Sequence, residues 1–377
     1  MSSKRFFAAM MALVMALTML AGCGGGNQPS STAPAPTPAP APSSDAGTPA
    51  PADPAGTDPA SVTGKVLIYT SMYEDIIESI DKELEEVFPN CDIEFFYGGT
   101  GTLQTKVAAE IETGKLSCDM LMVAEPAYSL ELKEGGWLEP YVTPAAETLA
   151  FDYDKEGYWY PVRICNMVLA YNPELKSKDE VPNSFYDFAY NEAVKGKISM
   201  SNPLTSGTAM AAVTALKDKY TYDYFAALGK QNVMVESGGV ACTKLETGEC
   251  DVIMILEESI LKKREEDDSG LEVIYPTDGT IVIPSTIMTI ADGKNANNNI
   301  AACQAITDWF LSNEGQKNIV AGWMHSVVKD YPELPYDAIA TSEILKNTMP
   351  VNWENCFRQR DEIRTKFQES VTIPESK

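Results

Sequence analysis

Apolar and polar positions fall into three regimes along the chain. Phe6 to Leu20 is an almost unbroken apolar stretch, residues 24–63 carry almost no bulky apolar side chain, and from Gly64 onward apolar runs recur in short periodic blocks. The first block, Lys65-Val66-Leu67-Ile68-Tyr69-Thr70, is short and β-rich and reads as a buried parallel strand. Ser71 stands in N-cap position for a helix over about 74–88, whose Ile76, Ile77, Ile80, Leu84 and Val87 share one face. Pro89-Asn90 stops it, and Asp92 to Tyr97 is the next strand. Gly98-Gly99-Thr100-Gly101-Thr102 leads into a helix over about 103–113. Met120-Leu121-Met122-Val123 is a third strand ending at Ala124-Glu125-Pro126, and a helix over about 127–133 follows.

This β-α-β-α-β order predicts a mainly parallel sheet flanked by helices. Ligands of such sheets lie beyond the carboxyl ends of the strands. The loops at Ser71-Met72, at Thr100-Gly101-Thr102 and at Glu125 therefore edge a pocket. Trp159 to Asn172 then reads as a long strand leaving the first unit. A second α/β unit contains a strand at Lys197 to Met200, the loop Asn202 to Thr208, and an Ala-rich helix to about Asp218. It continues with a helix near 222–228, the loop Glu236-Ser237-Gly238-Gly239, and a strand at Val252 to Leu256. Tyr275-Pro276 through Pro284 returns toward the first unit, and helices are predicted over 300–310 and 353–367.

The N-terminal regimes set the expected address. Lys4-Arg5, the apolar stretch and Leu20-Ala21-Gly22-Cys23 form a secretory leader over residues 1–22. The stretch is short for a membrane span. Its last four residues resemble the lipobox of bacterial lipoproteins, which implies acylation of Cys23 and anchoring at the outer face of the membrane. Residues 23–63, rich in Pro, Ser and Ala, read as a disordered tether that lets the folded body stand off the bilayer.

Charge and cysteines narrow the chemistry. The formal charge is −25, and losing Lys4 and Arg5 with the leader leaves 27 basic against 54 acidic residues. That surface argues against nucleic acid as a partner, and it makes any basic residue inside a pocket more informative. Seven cysteines follow Cys23. They read mainly as small buried residues, with a Cys242–Cys250 disulfide as the alternative. There is one histidine and no CxxC pair, so no zinc site, other metal site or cofactor is expected. With no G-x-S-x-G, P-loop or HExxH motif, enzymatic activity is not expected either.

Across about Val66 to Val328 the chain resembles the periplasmic solute-binding proteins of ABC importers, in the subgroup whose members take ferric iron, phosphonates or sugar phosphates. The residues that carry the resemblance are Tyr69-Thr70-Ser71, Gly98-Gly99-Thr100-Gly101, Gly136-Trp137-Leu138-Glu139-Pro140, Tyr171-Asn172-Pro173, Ser206-Gly207-Thr208, Tyr275-Pro276 with Gly279-Thr280, and Asp308 to Ser312 before Glu314-Gly315-Gln316. The resemblance implies a two-lobed type II periplasmic-binding α/β fold, with lobe 1 at 64–165 plus 277–377 and lobe 2 at 166–276. It also implies a monomer that closes on a ligand and delivers it to an ABC permease. Ferric-iron members carry two adjacent tyrosines after the strand that matches Val252 to Leu256. Here Glu257-Glu258-Ser259 stands there, which favours a small anionic organic solute and leaves ferric iron as the alternative, through Tyr220, Tyr222 or Tyr224.

The candidate ligand-binding set follows from residue chemistry. Thr100, Gly101 and Thr102, then Ser206, Gly207 and Thr208, then Ser237 and Gly238 offer hydroxyls and backbone N–H groups at helix starts suited to phosphate or carboxylate. Helix capping explains the same residues. Arg163 suits bidentate contact with an anion or a salt bridge to one of the many acids. Glu257 and Glu258 suit sugar hydroxyls or an amine, or a solvated helix start. Trp159 and Tyr160 stack on a ligand or pack the hinge, and His325 reads as structural.

Overall fold

The computed structural model describes residues 57–372. The first half runs β1 (Gly64–Thr70), α1 (Glu74–Val87), β2 (Cys91–Tyr97), α2 (Thr100–Ile111), β3 (Met120–Ala124) and α3 (Pro126–Glu134). The long strand β4 (Tyr160–Tyr171) opens the second half. It continues with α4 (Phe185–Tyr190), β5 (Ile198–Ser201), α5 (Gly207–Tyr220), α6 (Asp223–Lys230), β6 (Met234–Glu236), α7 (Gly238–Thr247), β7 (Val252–Leu256), α8 (Glu257–Glu266) and β8 (Glu272–Ile274). The chain returns through β9 (Ile281–Thr289), α9 (Ile300–Leu311) and α10 (Asn313–Ala321), and ends in α11 (Thr341–Ile344), α12 (Trp353–Arg358) and α13 (Arg360–Ser370).

The strands lie in the order β2-β1-β3-β9-β4-β7-β5-β6, with β8 beside β4. Each half is a parallel core, β2-β1-β3 and β6-β5-β7, and the antiparallel pair β4 and β9 joins them. β4 crosses over at Met167. Before it the strand pairs with β9; after it the strand pairs with β7 and β8. All twelve residues of β4 are buried, as a strand covered on both faces requires. The predicted strands and helices of the first half appear within a few residues of their expected ends, because each carries a clean apolar period.

Three features bear on the expectations, and one expectation changes. β9, in the segment expected to return toward the first unit, runs through Pro284 to Thr289. Ile164, the β4 partner of Pro284, gives both its backbone bonds to His325 on its other side, at 3.0 and 3.3 Å. The missing proline N–H thus leaves nothing unpaired. The C-terminal helices, expected with the first lobe, pack on the second as well, while Arg358 and Arg360 pair with Glu134 and Glu131 of α3 in the first half. Cys356, Ile363 and Phe367 share a core with Phe225 and Leu228, and the Phe225 and Phe367 rings stand 5.4 Å apart edge to face. An apolar stripe states that a helix must be covered, not by which neighbour. The seven cysteines among the described residues are all unpaired, Cys242 and Cys250 included, and six are buried with Cys91 partly so, which agrees with the main reading of them as small buried residues. The leader, Cys23 and most of the tether lie outside the described residues.

Candidate functional site

A cleft of about 560 Å³ separates the two halves. Every parallel strand contributes its carboxyl end: Ser71 after β1, Gly99 and Thr100 after β2, Ala124 at the end of β3, Asn202 after β5, Ser237 after β6, and Glu258 after β7. The helices that follow β1, β2, β5, β6 and β7 therefore start at the cleft, with their unsatisfied N–H groups and positive dipole ends beside it. In the second half two of these starts carry serine caps. Ser206 Oγ accepts from Ala209 N at 3.2 Å, and Ser237 Oγ accepts from Val240 N at 3.4 Å. In the first half, α1 and α2 begin at Tyr73 and Gly99 with no side-chain cap.

Arg163 and Glu258 form the floor. Both are 3% exposed and both line the cleft. Arg163 Nη1 lies 2.8 Å from Met324 Sδ, and its Nε has no partner. Glu258 Oε1 is also unpartnered. Burial pushes the Glu258 carboxyl up to about 7, against the opposing pull of Arg163. Tyr73, half-buried beside them, has its phenol raised by burial and then by the Glu258 charge. Above the floor, Lys262 pairs with Asp75 across the cleft and with Glu266 at 3.7 Å. Lys263 holds Glu246 and Asp267, each at 3.1 Å.

At one rim of the cleft the backbones of the two halves also touch. Gly101 N donates to the Thr205 carbonyl at 3.0 Å. A Cβ on Gly207 would overlap the Ala124 carbonyl oxygen and stand 2.9 Å from Thr100 Cγ2. Only glycine permits this approach of α5 to the end of β3.

Of the residues singled out from sequence, Ser71, Thr100, Arg163, Ser206, Gly207, Thr208, Ser237, Gly238 and Glu258 are brought together around the cleft. Ser71 spends its hydroxyl on structure, accepting from Ala124 N at 3.1 Å. Five others lie outside the lining. Met72 is buried in the first-half core, Thr102 is exposed on α2, and Gly101 makes the rim contact. Glu125, with a φ of 107°, turns away from the cleft toward α12 and α13, where Cys356 Sγ is 3.9 Å away. Burial pushes its carboxyl up to about 8 against the pull of Arg360. Glu257 belongs to a hinge network, accepting from Asn166 Nδ2 at 3.0 Å and from the Tyr275 hydroxyl. His325 Nε2 faces its carboxylate at 3.0 Å, while His325 Nδ1 faces the Thr341 hydroxyl at 2.9 Å. Trp159 and Tyr160 pack in the first-half cores. Tyr220 and Tyr224 stack on one another in the second half, and Tyr222 bonds Glu362 at 3.0 Å, all outside the cleft lining. Sequence reading missed Tyr73, Tyr97, Glu236, Lys262 and Lys263. The lysines were within reach, since Lys262 stands one helical turn beyond Glu258 on α8.

The model of the bacterial extracellular solute-binding protein family matches residues 117–353. No curated protein sequence matches the chain. Among solved structures, the chain is similar to the periplasmic binding protein AfuA from Actinobacillus pleuropneumoniae with fructose-6-phosphate bound, at 20% identity, TM-score 0.71, and coverage of 82% of this chain and 98% of that one. Iron-bound HitA from Pseudomonas aeruginosa is similar at 18% identity and TM-score 0.69, over 81% and 99% of the two chains. The substrate-binding protein of an ABC transporter from Agrobacterium tumefaciens is similar at 13% identity and TM-score 0.71, over 82% and 95%. The fold is thus the two-lobed type II periplasmic-binding fold that the sequence led us to expect. With a family match over more than half its length, the chain belongs to the bacterial extracellular solute-binding proteins.

Proposed function

We propose that this protein is the lipid-anchored solute-binding component of an ABC importer, and that its cleft captures a small anionic organic solute, a sugar phosphate or phosphonate, for a membrane permease. One observation carries the reading: the starts of α2, α5 and α7, from both halves, open onto a cleft whose floor holds a buried arginine. Oriented N–H groups and a guanidinium are the donors an oxyanion needs. The fructose-6-phosphate on AfuA supports the same chemistry. A ligand held by both halves favours the closed arrangement by its differential affinity. Calorimetric titration with sugar phosphates and phosphonates tests the proposal. Binding of at least one supports it, and silence from all of them alongside tight ferric binding sinks it.

Ferric iron is the second reading, favoured by the likeness to iron-bound HitA. Its oxygen ligands would be Tyr73 and Tyr97 with Asp75 and Glu258 of the cleft lining. Among the described residues no cluster of three or more His, Cys, Asp or Glu side chains is arranged for a metal. Burial raises both phenols, so iron would have to displace their protons. A visible tyrosinate-to-iron band on adding ferric nitrilotriacetate would establish this reading.

In the same proposal, Cys23 carries the lipid and residues 24–63 the tether, with lobes divided near 165 and 277. A tether raises the local concentration of the body at its permease. Replacing Cys23 by Ala should leave ligand affinity intact and reduce uptake by cells; an affinity loss would contradict the separation of tether from site.

A further inference from the structure

The cleft floor holds two buried opposite charges that do not meet. Arg163 and Glu258 feel each other electrostatically, yet they form no ion pair within 4.0 Å. Instead Met324 sulfur holds one guanidinium nitrogen, the Glu258 carboxyl is held in part by its own backbone N–H and the Cys165 thiol, and one atom of each group, Arg163 Nε and Glu258 Oε1, has no partner. Leaving such groups unpaired costs free energy, so a ligand that satisfies both gains it back on binding. A purely anionic ligand satisfies Arg163 and the helix starts but repels the ionised form of Glu258.

The rest of the lining points the same way. Lys262 and Lys263 are each taken by two carboxylates, which leaves Arg163 as the cationic side chain of the lining that is not ion-paired. Carboxylates outnumber cations there, with Asp75, Glu236, Glu258, Glu266 and Asp267 against Arg163, Lys262 and Lys263. Anion recognition thus falls to the helix N-termini and one arginine, in an otherwise acidic chamber. We propose that the ligand is zwitterionic: an oxyanion group held by the starts of α2, α5 and α7 with Arg163, and an ammonium group held by Glu258. This rests on the anion-binding reading above and narrows its ligand class.

The raised Glu258 carboxyl adds a signature. Pairing with an ammonium favours its ionised form, so binding near pH 7 should release a fraction of a proton from the protein. The test is calorimetry with matched probes on the intact protein: 2-aminoethyl phosphate, 2-hydroxyethyl phosphate and ethyl phosphate, with 4-aminobutyrate and butyrate as the carboxylate set, in two buffers of different ionisation enthalpy. We expect the amino probe of at least one set to bind about tenfold or more tighter than its partners, the size of one charge-assisted contact. Proton release should accompany it. Glu258→Gln should bring the set within about twofold and abolish the release. If the hydroxyl or unsubstituted anion binds as well as the amine, the zwitterion is wrong and the anion reading stands. If no probe of either set binds, the zwitterion is wrong, and the titration with sugar phosphates and phosphonates decides the anion reading separately. An unchanged amine preference in a folded Glu258→Gln variant, its Tm checked by calorimetry, also overturns the assignment.

Discussion

The two walls of the cleft are built from the same β-α units yet carry different chemistry. The first-half wall offers Ser71, Tyr73, Tyr97 and Thr100, and Asp75 is its one charged side chain. The second-half wall offers two serine-capped helix starts, Asn202, and the charged series Glu236, Glu258, Lys262, Lys263, Glu266 and Asp267. The contrast is sharpest at one corresponding position. Where β3 and β7 end, each wall places a carboxyl that burial raises, Glu125 to about 8 and Glu258 to about 7. Glu125 turns behind its wall to the C-terminal helices, while Glu258 turns into the cleft. Charged side chains are thus concentrated on the second wall and on Arg163 of the crossover strand, and the first wall supplies phenols and backbone donors.

The largest effect should come from the residue between the walls. Arg163→Met should weaken binding of the anionic ligand about 100-fold, since it removes a buried charge-assisted donor pair worth about 1.5–3 kcal/mol per bond. Calorimetry reads the loss, and retention of affinity within a few-fold would mean that the helix starts suffice without it.

Closure is the next target. Gly207→Val would drive a side chain into the Ala124 carbonyl and hold the walls apart. Affinity should fall about tenfold, with a larger radius of gyration by small-angle scattering in the presence of ligand. An unaltered radius with normal affinity would show that this rim contact is not part of the closed state.

The paired carboxyls give a pH test. Each has a folded value above its ordinary 4.5, so between 4.5 and that value the native chain holds a proton the unfolded chain has lost. The stability this protects is fully present below 4.5 and falls as pH rises toward 7 for Glu258 and 8 for Glu125. Thermal melts should show Tm declining over that range, with each carboxyl costing of order a few kcal/mol at most. Glu125→Gln and Glu258→Gln should each flatten the profile. Ligand should change the slope through Glu258 alone, and a ligand effect surviving in Glu258→Gln would place the titrating group elsewhere.

Smallest is the cap. Ser237→Ala should cost about 1 kcal/mol of stability and a few-fold in affinity, by loosening the start of α7. Ser71→Ala, whose hydroxyl serves Ala124 N, should cost stability with little change in binding. The reverse ranking would exchange the roles assigned to the two walls.

Much of this was legible in the sequence, for stated physical reasons. Strand ends predict a cleft because β-α-β order fixes where loops gather, so Ser71, Thr100, Ser206, Ser237 and Glu258 were within reach. What stayed illegible is what a linear pattern does not encode. Glu257 and Glu258 are neighbours, and the helical step of about 100° sends one to the hinge and the other to the cleft. An amphipathic C-terminal helix carries no mark of the lobe that covers it.

The central claim is that the cleft holds an organic anion. Native mass spectrometry of the protein purified from its own cells under mild conditions tests it most directly. The account predicts an adduct of one small organic molecule bearing a phosphate, phosphonate or carboxylate, lost on denaturation and absent from Arg163→Met. An adduct of the mass of one ferric ion, retained in Arg163→Met, would contradict it.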